Sequence, residues 1–285
     1  MKILHFILFS LLFTQLTAWT QDQPAYVLYD SKGKKIRYQK MLKQLEQSQV
    51  VLFGELHNNP ISHWLQLEVT QAIHAQKNTV LGAEMFERDN QDELNGYLEG
   101  SFNAKVFDTL ARLWNNYYTD YAPLVDFAKE NQLPFIATNI PRRFANMVYK
   151  KDFSALDELS SEEKSWVAPL PIPYDSMLPR YQNILKMMGG HGTSTLIKAQ
   201  ATKDATMAHF IVQNLPKEGV FIHYNGAYHS DYYEGILWYL NQYKPGLHVK
   251  TISTVSQADI HKLEKEHLGR ADFIICVDED MTSTY

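Results

Sequence analysis

Short apolar runs recur along the chain, and amphipathic stretches separate them. The runs that predict buried strands are residues 50–53, 79–83, 134–137, 219–224, 248–255 and 273–277. Residues 39–48 and 61–76 instead repeat their apolar positions at helical spacing. Strands that alternate with helices in this way predict an α/β fold, with a mainly parallel sheet flanked by helices.

Two segments depart from this alternation. Residues 26–29 and 35–38 flank the turn-forming segment Asp30-Ser-Lys-Gly33, which predicts a β-hairpin. Residues 141–214 carry no strong strand signal, so we expect an inserted helical subdomain there. No repeat or linker divides the remainder, and the sequence therefore predicts a single domain over residues 21–285.

The N-terminus has the pattern of an export signal. Lys2 precedes an apolar run from Ile3 to Phe13, and small or polar residues follow around Ala18. This pattern predicts that residues 1–20 are a secretory signal peptide, the alternative being an uncleaved N-terminal anchor. We therefore expect a periplasmic protein. No cysteine lies near the cleavage region, which argues against a lipoprotein.

Composition narrows the function classes. The chain has 27 Lys and Arg residues against 32 Asp and Glu residues, so the basic footprint of a nucleic-acid-binding protein is absent. Its single cysteine, Cys276, excludes an intrachain disulfide, a Cys-rich zinc site and a C-x-x-C-H haem attachment. The sequence also lacks the Gly-x-Ser-x-Gly elbow of standard serine hydrolases and the Walker A phosphate loop.

Polar residues follow four of the predicted strands at the point where each strand ends. In open parallel sheets, ligands bind beyond the carboxyl ends of the strands. We expect one rim formed by Glu55, His57, Glu84, Asn139, Arg142 and His229. Two carboxylates and two imidazoles suit either a divalent metal ion or acid–base chemistry. The metal ligands would be Glu55, His57, Glu84 and His229.

Several motifs resemble those of a known family. They include Gly54-Glu-Leu-His57, Gly226-Ala-Tyr-His229 and the segment that begins with Leu133-Pro-Phe-Ile-Ala-Thr-Asn. The two Gly-x-x-His motifs are similar to those of the Tiki/TraB/erythromycin-esterase superfamily. Over residues 26–277 the chain most resembles the ChaN-like branch, the haem-binding uptake proteins.

This resemblance implies a haem carrier in which tyrosine ligates ferric iron. The family arrangement is a pair of stacked haems at a homodimer interface, with an outer-membrane haem receptor as a further partner. Tyrosinate is a hard anionic ligand that suits oxidised haem iron. The candidate haem-binding residues all lie in or near the expected helical subdomain: Tyr149, Tyr174, Tyr181, His191 and His209.

The same superfamily implies an alternative, because other members are metal-dependent peptidases or esterases. In that reading Glu55, His57, Glu84 and His229 activate water, with or without a divalent metal ion, and Arg142 stabilises an oxyanion. A structural interaction module with a vestigial site is the third class. We expect the carrier, because the sequence matches the ChaN branch more closely.

Overall fold

The computed structural model describes residues 24–189 and 191–285. The predicted signal peptide, residues 1–20, lies outside the described residues. Seven strands form one sheet, in the spatial order β1-β7-β6-β2-β5-β3-β4. The strands are β1 Tyr26–Asp30, β2 Val50–Glu55, β3 Thr79–Glu87, β4 Phe135–Asn139, β5 Val220–Gly226, β6 Val249–Gln257 and β7 Phe273–Asp278.

Ten α-helices flank this sheet in the described part of the chain. They are α1 Tyr38–Leu45, α2 Pro60–His74, α3 Gln91–Leu98, α4 Ala104–Leu110, α5 Ala122–Glu130, α6 Arg142–Lys151, α7 Ser161–Lys164, α8 Pro179–Met187, α9 Ser194–Gln213 and α10 Ile236–Tyr243. Strands β2 to β7 pair in parallel, and only β1 runs antiparallel, at the edge beside β7. The predicted fold class is confirmed.

The sheet is covered on both faces, which is why its strands are nearly continuous apolar runs. Successive side chains of a strand point to opposite faces. On β2, Val51 and Phe53 belong to the core beneath α1, α2 and α5, whereas Val50 and Leu52 belong to the core beneath α6, α9 and α10. This two-sided burial fixes the register of the strands and therefore the heights at which their polar ends emerge.

The predicted N-terminal hairpin is wrong in its second strand. Only Tyr29 and Lys35 form an isolated bridge, and the chain enters α1 at Tyr38. The reason is visible in the apolar positions Met41, Leu42 and Leu45, which recur at helical spacing and are buried. The first strand, β1, instead completes the sheet by pairing with β7.

The region 141–214 contains helices and loops, and no strand is described within 141–189 or 191–214. Its longest helix, α9, is twenty residues long and packs against both α6 and α10. Ala201, Ala205 and Ala208 are buried in that packing, and their small side chains allow the helices to approach closely. The inserted helices therefore cover one face of the sheet.

None of the described helices has the length and apolar composition that crossing a membrane requires. The single cysteine, Cys276, lies in β7 and is completely buried.

Candidate functional site

Three neighbouring strands, β2, β5 and β3, bring the predicted rim residues together. β5 lies between the other two, and Glu55 at the end of β2 is in register with Gly226 at the end of β5. Glu84 enters from β3, where the pairing with β4 shifts register between Ala83 and Glu87. Such a bulge redirects side chains near the end of a strand. The rim is thus a set of adjacent strand ends.

Glu55 is completely buried and hydrogen-bonded by three side chains. Its Oε1 accepts a hydrogen bond from the Tyr121 hydroxyl at 2.7 Å and lies 2.8 Å from His57 Nδ1. Its Oε2 accepts from the amide of Gln66 on α2. These contacts hold the carboxylate in one orientation and fix the ring of His57 above the strand end.

The His57 ring extends over Gly226 toward Glu84. A Cβ atom on Gly226 would lie 2.6 Å from His57 Nε2 and 3.5 Å from Glu84 Oε2. Because Gly226 has no side chain, His57 from β2 and Glu84 from β3 can approach each other across β5. His57 also packs edge-on against Trp114, with ring centroids 5.1 Å apart, and its side chain remains 36% exposed.

A second chain of polar contacts runs through His229. Its Nε2 lies 3.2 Å from Glu84 Oε1, and its Nδ1 contacts Asp204 on α9. Asp204 in turn accepts a hydrogen bond from the Tyr181 hydroxyl at 2.9 Å, and Glu84 accepts one from the backbone N–H of Gly226 at 2.8 Å. His229 is therefore held between two carboxylates.

The ion pairs between the side chains of this buried network determine which of them are charged. Burial opposes ionisation of His229, but Glu84 and then Asp204 outweigh it and raise the pKa of His229 to about 10. Burial also opposes ionisation of Glu84, yet His229 brings the pKa of that carboxyl well below its usual range. His229 is accordingly an imidazolium paired with an anionic Glu84 at neutral pH.

His57 differs from His229 because it is more exposed. Burial lowers its pKa, but the hydrogen bond to Glu55 and the charge of Glu84 reverse that effect, and the net result is a raised pKa. Burial raises the pKa of Asp204, which His229 only partly offsets. His57 is the rim imidazole best placed to exchange protons with solvent or a ligand.

A cavity of about 590 Å³ opens beside this network. The residues around it include Glu84, Trp114, Asn139, Arg142, Lys203 and Tyr285. Asn139 donates from Nδ2 to the backbone carbonyl of Glu84 at 2.9 Å, whereas its Oδ1 is buried and has no partner among the described residues. Three cations line the cavity, of which Arg112 is paired with Glu87, whereas Arg142 and Lys203 form no ion pair with a described residue and suit a polar ligand of negative charge.

The rim residues do not form a ready-made metal site. Glu55 pairs with His57, and Glu84 pairs with His229, so each carboxylate is already bound to an imidazole. In the described residues, the one group of three ligand-type side chains whose atoms all lie within 4.8 Å of one another is found elsewhere. The predicted divalent metal at the rim stays a prediction, and its proposed ligands fit it only after rearrangement.

The five candidate haem-binding residues are dispersed. Tyr181 is buried and bound to Asp204, and its ring stacks on that of Tyr174 with centroids 6.3 Å apart. Burial, with a contribution from Asp152, raises the pKa of Tyr174 to about 12. The Tyr174 hydroxyl has no hydrogen-bond partner in the part of the chain that the structure describes.

Tyr149 and the two histidines lie apart from this buried pair. The Tyr149 side chain is 44% exposed on α6. His191 is exposed just before α9, and His209 is half-buried beside a separate cavity that Arg88 also lines. Tyr149 is consequently the tyrosine of the three that reaches solvent most fully.

Several rim contacts involve residues that the sequence analysis did not select. Gln66 and Tyr121 bind Glu55, and Asp120 lies 3.5 Å from His63, whose Nε2 contacts the backbone carbonyl of His57 at 3.0 Å. Tyr121 and Asp120 belong to a π-helical turn, Tyr117–Tyr121, of a kind often found at functional sites. The signal that could have identified such residues in the sequence is a polar side chain on the otherwise apolar face of a predicted helix.

Together these features define an α/β protein with a buried ionic network and an open cavity at the carboxyl ends of its parallel strands. Residues 41–240 match the family model described as haem-binding uptake, Tiki superfamily, ChaN, and the chain belongs to this family. The resemblance seen in the sequence motifs is thereby confirmed.

Proteins of known structure share the fold. ChaN of Campylobacter jejuni, in a structure described as cofacial haem binding, has a TM-score of 0.67 and 17% identity, covering 88% of this chain and 96% of that one. A Bacillus cereus protein has a TM-score of 0.50 and 12% identity, covering 84% of this chain and 90% of that one.

A curated plant protein is similar in sequence. RETICULATA-RELATED 5, a chloroplastic protein of Arabidopsis thaliana, is 25% identical over 221 residues. The match includes 70% of this chain but only 29% of the plant protein, so the chain spans less than a third of that relative.

Proposed function

We propose that this protein binds haem or a related iron porphyrin and serves in haem uptake or trafficking. Membership of the haem-binding uptake family supports the haem function. The proposal includes export, directed by the predicted signal peptide, to the periplasm, where an outer-membrane receptor would supply the haem. The cofacial haem binding described for ChaN of Campylobacter jejuni is the arrangement we propose for two copies of this chain.

The observation that carries the ligand assignment is the exposure of Tyr149. Of the three candidate tyrosines, Tyr181 is buried against Asp204, and Tyr174 is half-buried with its pKa raised to about 12. Tyr149 needs no rearrangement of the core to reach an iron atom on the protein surface. We therefore propose Tyr149 as the axial ligand to ferric haem.

The charge of α6 supports the same position. Its sequence contains Arg142, Arg143, Lys150 and Lys151 and no acidic residue. Arg143 pairs with Asp89, whereas the other three cations form no ion pair with any described residue. A haem bound at Tyr149 carries two propionates, and these unpaired cations supply the complementary charge.

Three exposed methionines at or next to the ends of α8 supply an apolar surface that suits a porphyrin. Met177 and Met187 are each about 70% exposed, and Met188 is 46% exposed. Exposed methionines are unusual, and their flexible thioethers adapt to flat aromatic ligands. We propose that this methionine surface contacts haem or covers the second haem of the pair.

Absorption spectroscopy during titration with hemin tests the proposal. Wild-type protein should saturate and give a high-spin ferric spectrum, and Tyr149→Phe should lose it. Tyr118→Phe is the matched control, because Tyr118 is 57% exposed but lies in the π-helical turn. A wild-type titration without saturation contradicts the haem function. A normal spectrum for Tyr149→Phe contradicts only the choice of ligand, and Tyr174→Phe and Tyr181→Phe then identify the alternative.

The rim and the proposed haem site share Arg142, but the remaining residues of the two sites are different. We therefore expect His57→Ala and His229→Ala to retain haem binding whenever circular dichroism shows a native fold. Loss of the haem spectrum in folded His57→Ala protein would place haem at the rim and overturn this separation.

A second function is favoured by one specific observation, the partly exposed His57 beside a cavity with Arg142. His57, oriented by Glu55, is suited to act as a general base, and Arg142 is suited to bind a developing oxyanion. We expect no substantial peptidase or esterase turnover by the wild type with added manganese, cobalt or zinc. Metal-stimulated turnover that disappears in both His57→Ala and His229→Ala would promote the hydrolase over the carrier.

A further inference from the structure

A cluster far from the rim in sequence combines two carboxylates with one imidazole. Glu264, Glu266 and His267 each offer one ligand atom, and these atoms all lie within 4.8 Å of one another. They lie in the segment between β6 and β7, where Lys265–His267 forms a 3-10 turn. Both carboxylates are exposed, whereas the two ring nitrogens of His267 are buried beneath the surface.

His267 is the anomalous member of the cluster. It is only 6% exposed, yet neither ring nitrogen has a hydrogen-bond partner among the residues that the structure describes. A buried imidazole normally satisfies at least one of its nitrogens, because an unsatisfied polar atom costs about 1–3 kcal/mol. An external ligand that bonds to the ring removes this penalty.

The spacing of the atoms indicates what kind of ligand that is. His267 Nε2 lies 3.9 Å from Glu266 Oε1, which is too long for a hydrogen bond. Two ligands on one zinc ion, with bonds of about 2.0–2.2 Å, are about 3.4 Å apart in tetrahedral geometry. A small movement of the exposed glutamate side chains therefore turns the cluster into a coordination site.

The turn is anchored by contacts that leave its ligand atoms free. The backbone N–H of Glu264 donates to Gln257 Oε1 at 3.1 Å, and the Tyr232 hydroxyl donates to the backbone carbonyl of Glu266 at 2.7 Å. Arg270 lies close enough to act on His267 electrostatically, but its guanidinium is paired with Asp231 at 3.2 Å. The positive charge of Arg270, which opposes the binding of a metal cation at His267, is thus partly neutralised.

We propose that Glu264, Glu266 and His267 bind a first-row divalent metal ion of the zinc type, with water completing the coordination. One imidazole and two carboxylates suit such an ion, whereas magnesium prefers oxygen ligands alone. The site shares no residue with the rim or with the proposed haem surface. It is therefore independent of both proposed functions.

Isothermal titration calorimetry with Zn²⁺ alone tests the site. The background protein carries His57→Ala and His229→Ala, which removes any contribution of the rim imidazoles. We expect one equivalent of Zn²⁺ to bind in this background, and Mg²⁺ not to replace it. Adding Glu264→Gln and Glu266→Gln should weaken Zn²⁺ binding more than about tenfold. Replacing a residue that only hydrogen-bonds a metal ligand already costs about tenfold in affinity, and these two residues are proposed as ligands themselves.

Two further variants make the test specific. Glu279→Gln with Asp280→Asn changes another exposed acidic pair and should leave the affinity unchanged. His267→Ala should also abolish binding. Because His267 is buried, His267→Ala protein could fail to fold. In that case the variant with Glu264→Gln and Glu266→Gln, whose substitutions are at exposed positions, tests the metal site. Zn²⁺ should raise the thermal midpoint of the background protein but not that of the glutamate variant.

Three results overturn the proposal. They are no Zn²⁺ binding in the rim-substituted background, unchanged affinity in the glutamate variant, and an equal loss of affinity in the Glu279/Asp280 control.

Discussion

Gly226 determines how closely the two halves of the rim approach each other. β5 lies between β2 and β3, and any side chain at its last residue would separate His57 from Glu84. The backbone at Gly226 has φ −54° and ψ 136°, which other residues adopt readily. Glycine is therefore required here because a side chain would collide with the groups above the strand. The backbone conformation itself does not require glycine.

We expect Gly226→Ala to displace the His57 ring and to lower the free energy of unfolding by about 1–3 kcal/mol. Urea unfolding measures the loss. The control is the same change in a His57→Ala background, where the colliding ring is absent and the loss should be much smaller. Equal losses in both backgrounds contradict this explanation.

His229 should make stability depend on pH in the alkaline range. Its folded pKa of about 10 lies above the ordinary value of 6.5, so its ion pairs contribute fully below about pH 6.5 and are lost as pH rises through about 10. The stability difference between wild type and His229→Gln should therefore shrink by at least about 2 kcal/mol between about pH 6 and pH 10. Urea unfolding at several pH values measures it, with the exposed His248→Gln as control. A pH-independent difference contradicts an ionised His229.

At the scale of the element, α2 combines an apolar stripe with a polar one. Leu65, Val69 and Ile73 are buried in the core. One residue further along each turn, Gln66 binds Glu55, and Thr70 hydrogen-bonds the hydroxyl of Tyr224 in β5. The helix therefore packs on the sheet and also orients a rim carboxylate.

Gln66→Glu places a second carboxylate against Glu55. Like charges in a buried site repel, and the amide donor is lost, so we expect a destabilisation of about 2–3 kcal/mol or more. Gln71→Glu on the exposed side of α2 is the matched control and should change stability by less than about 0.5 kcal/mol. Denaturant unfolding of both variants distinguishes a specific contact from a general effect of added charge.

The elements differ in how far the sequence predicts them. The apolar runs predicted β2 through β7, because strands buried on both faces need such runs. The N-terminal hairpin failed because residues 35–38 favour a strand locally, whereas packing of Met41 and Leu45 draws the chain into α1. The position of β5 between β2 and β3 arises from pairing between distant segments, which no local pattern encodes.

The same limit applies to the site. Glu55 is the last residue of β2, and His57 and His229 follow β2 and β5 closely, so the strand-end rule was enough to group them. Glu84 lies inside β3, at the register shift, because the strand continues three residues beyond it. Gln66 and Tyr121 enter from helices, and the direction of their side chains depends on how those helices pack. Asp204 likewise lies on a helix, and its contact with His229 depends on the packing of α9.

At the scale of the whole molecule, the proposed haem surface lies on the inserted helices and the rim lies at the strand ends. If two copies enclose a pair of haems, hemin should convert the protein from monomer to dimer. Light scattering coupled to gel filtration measures this change, and Tyr149→Phe should remain monomeric with hemin. A wild-type mass that does not change in saturating hemin contradicts the dimer and leaves monomeric haem binding intact.

Because Cys276 is completely buried, the reactivity of its thiol reports the unfolding of the protein around it. Burial raises the pKa of this thiol to about 12, so it stays protonated and shielded from alkylating reagents while β7 is in place. Its labelling rate therefore reports the opening of β7, the strand that joins β1 to the rest of the sheet. A cysteine introduced at an exposed position would be the only fast-reacting thiol, which allows site-specific attachment of spectroscopic labels without first removing the native one.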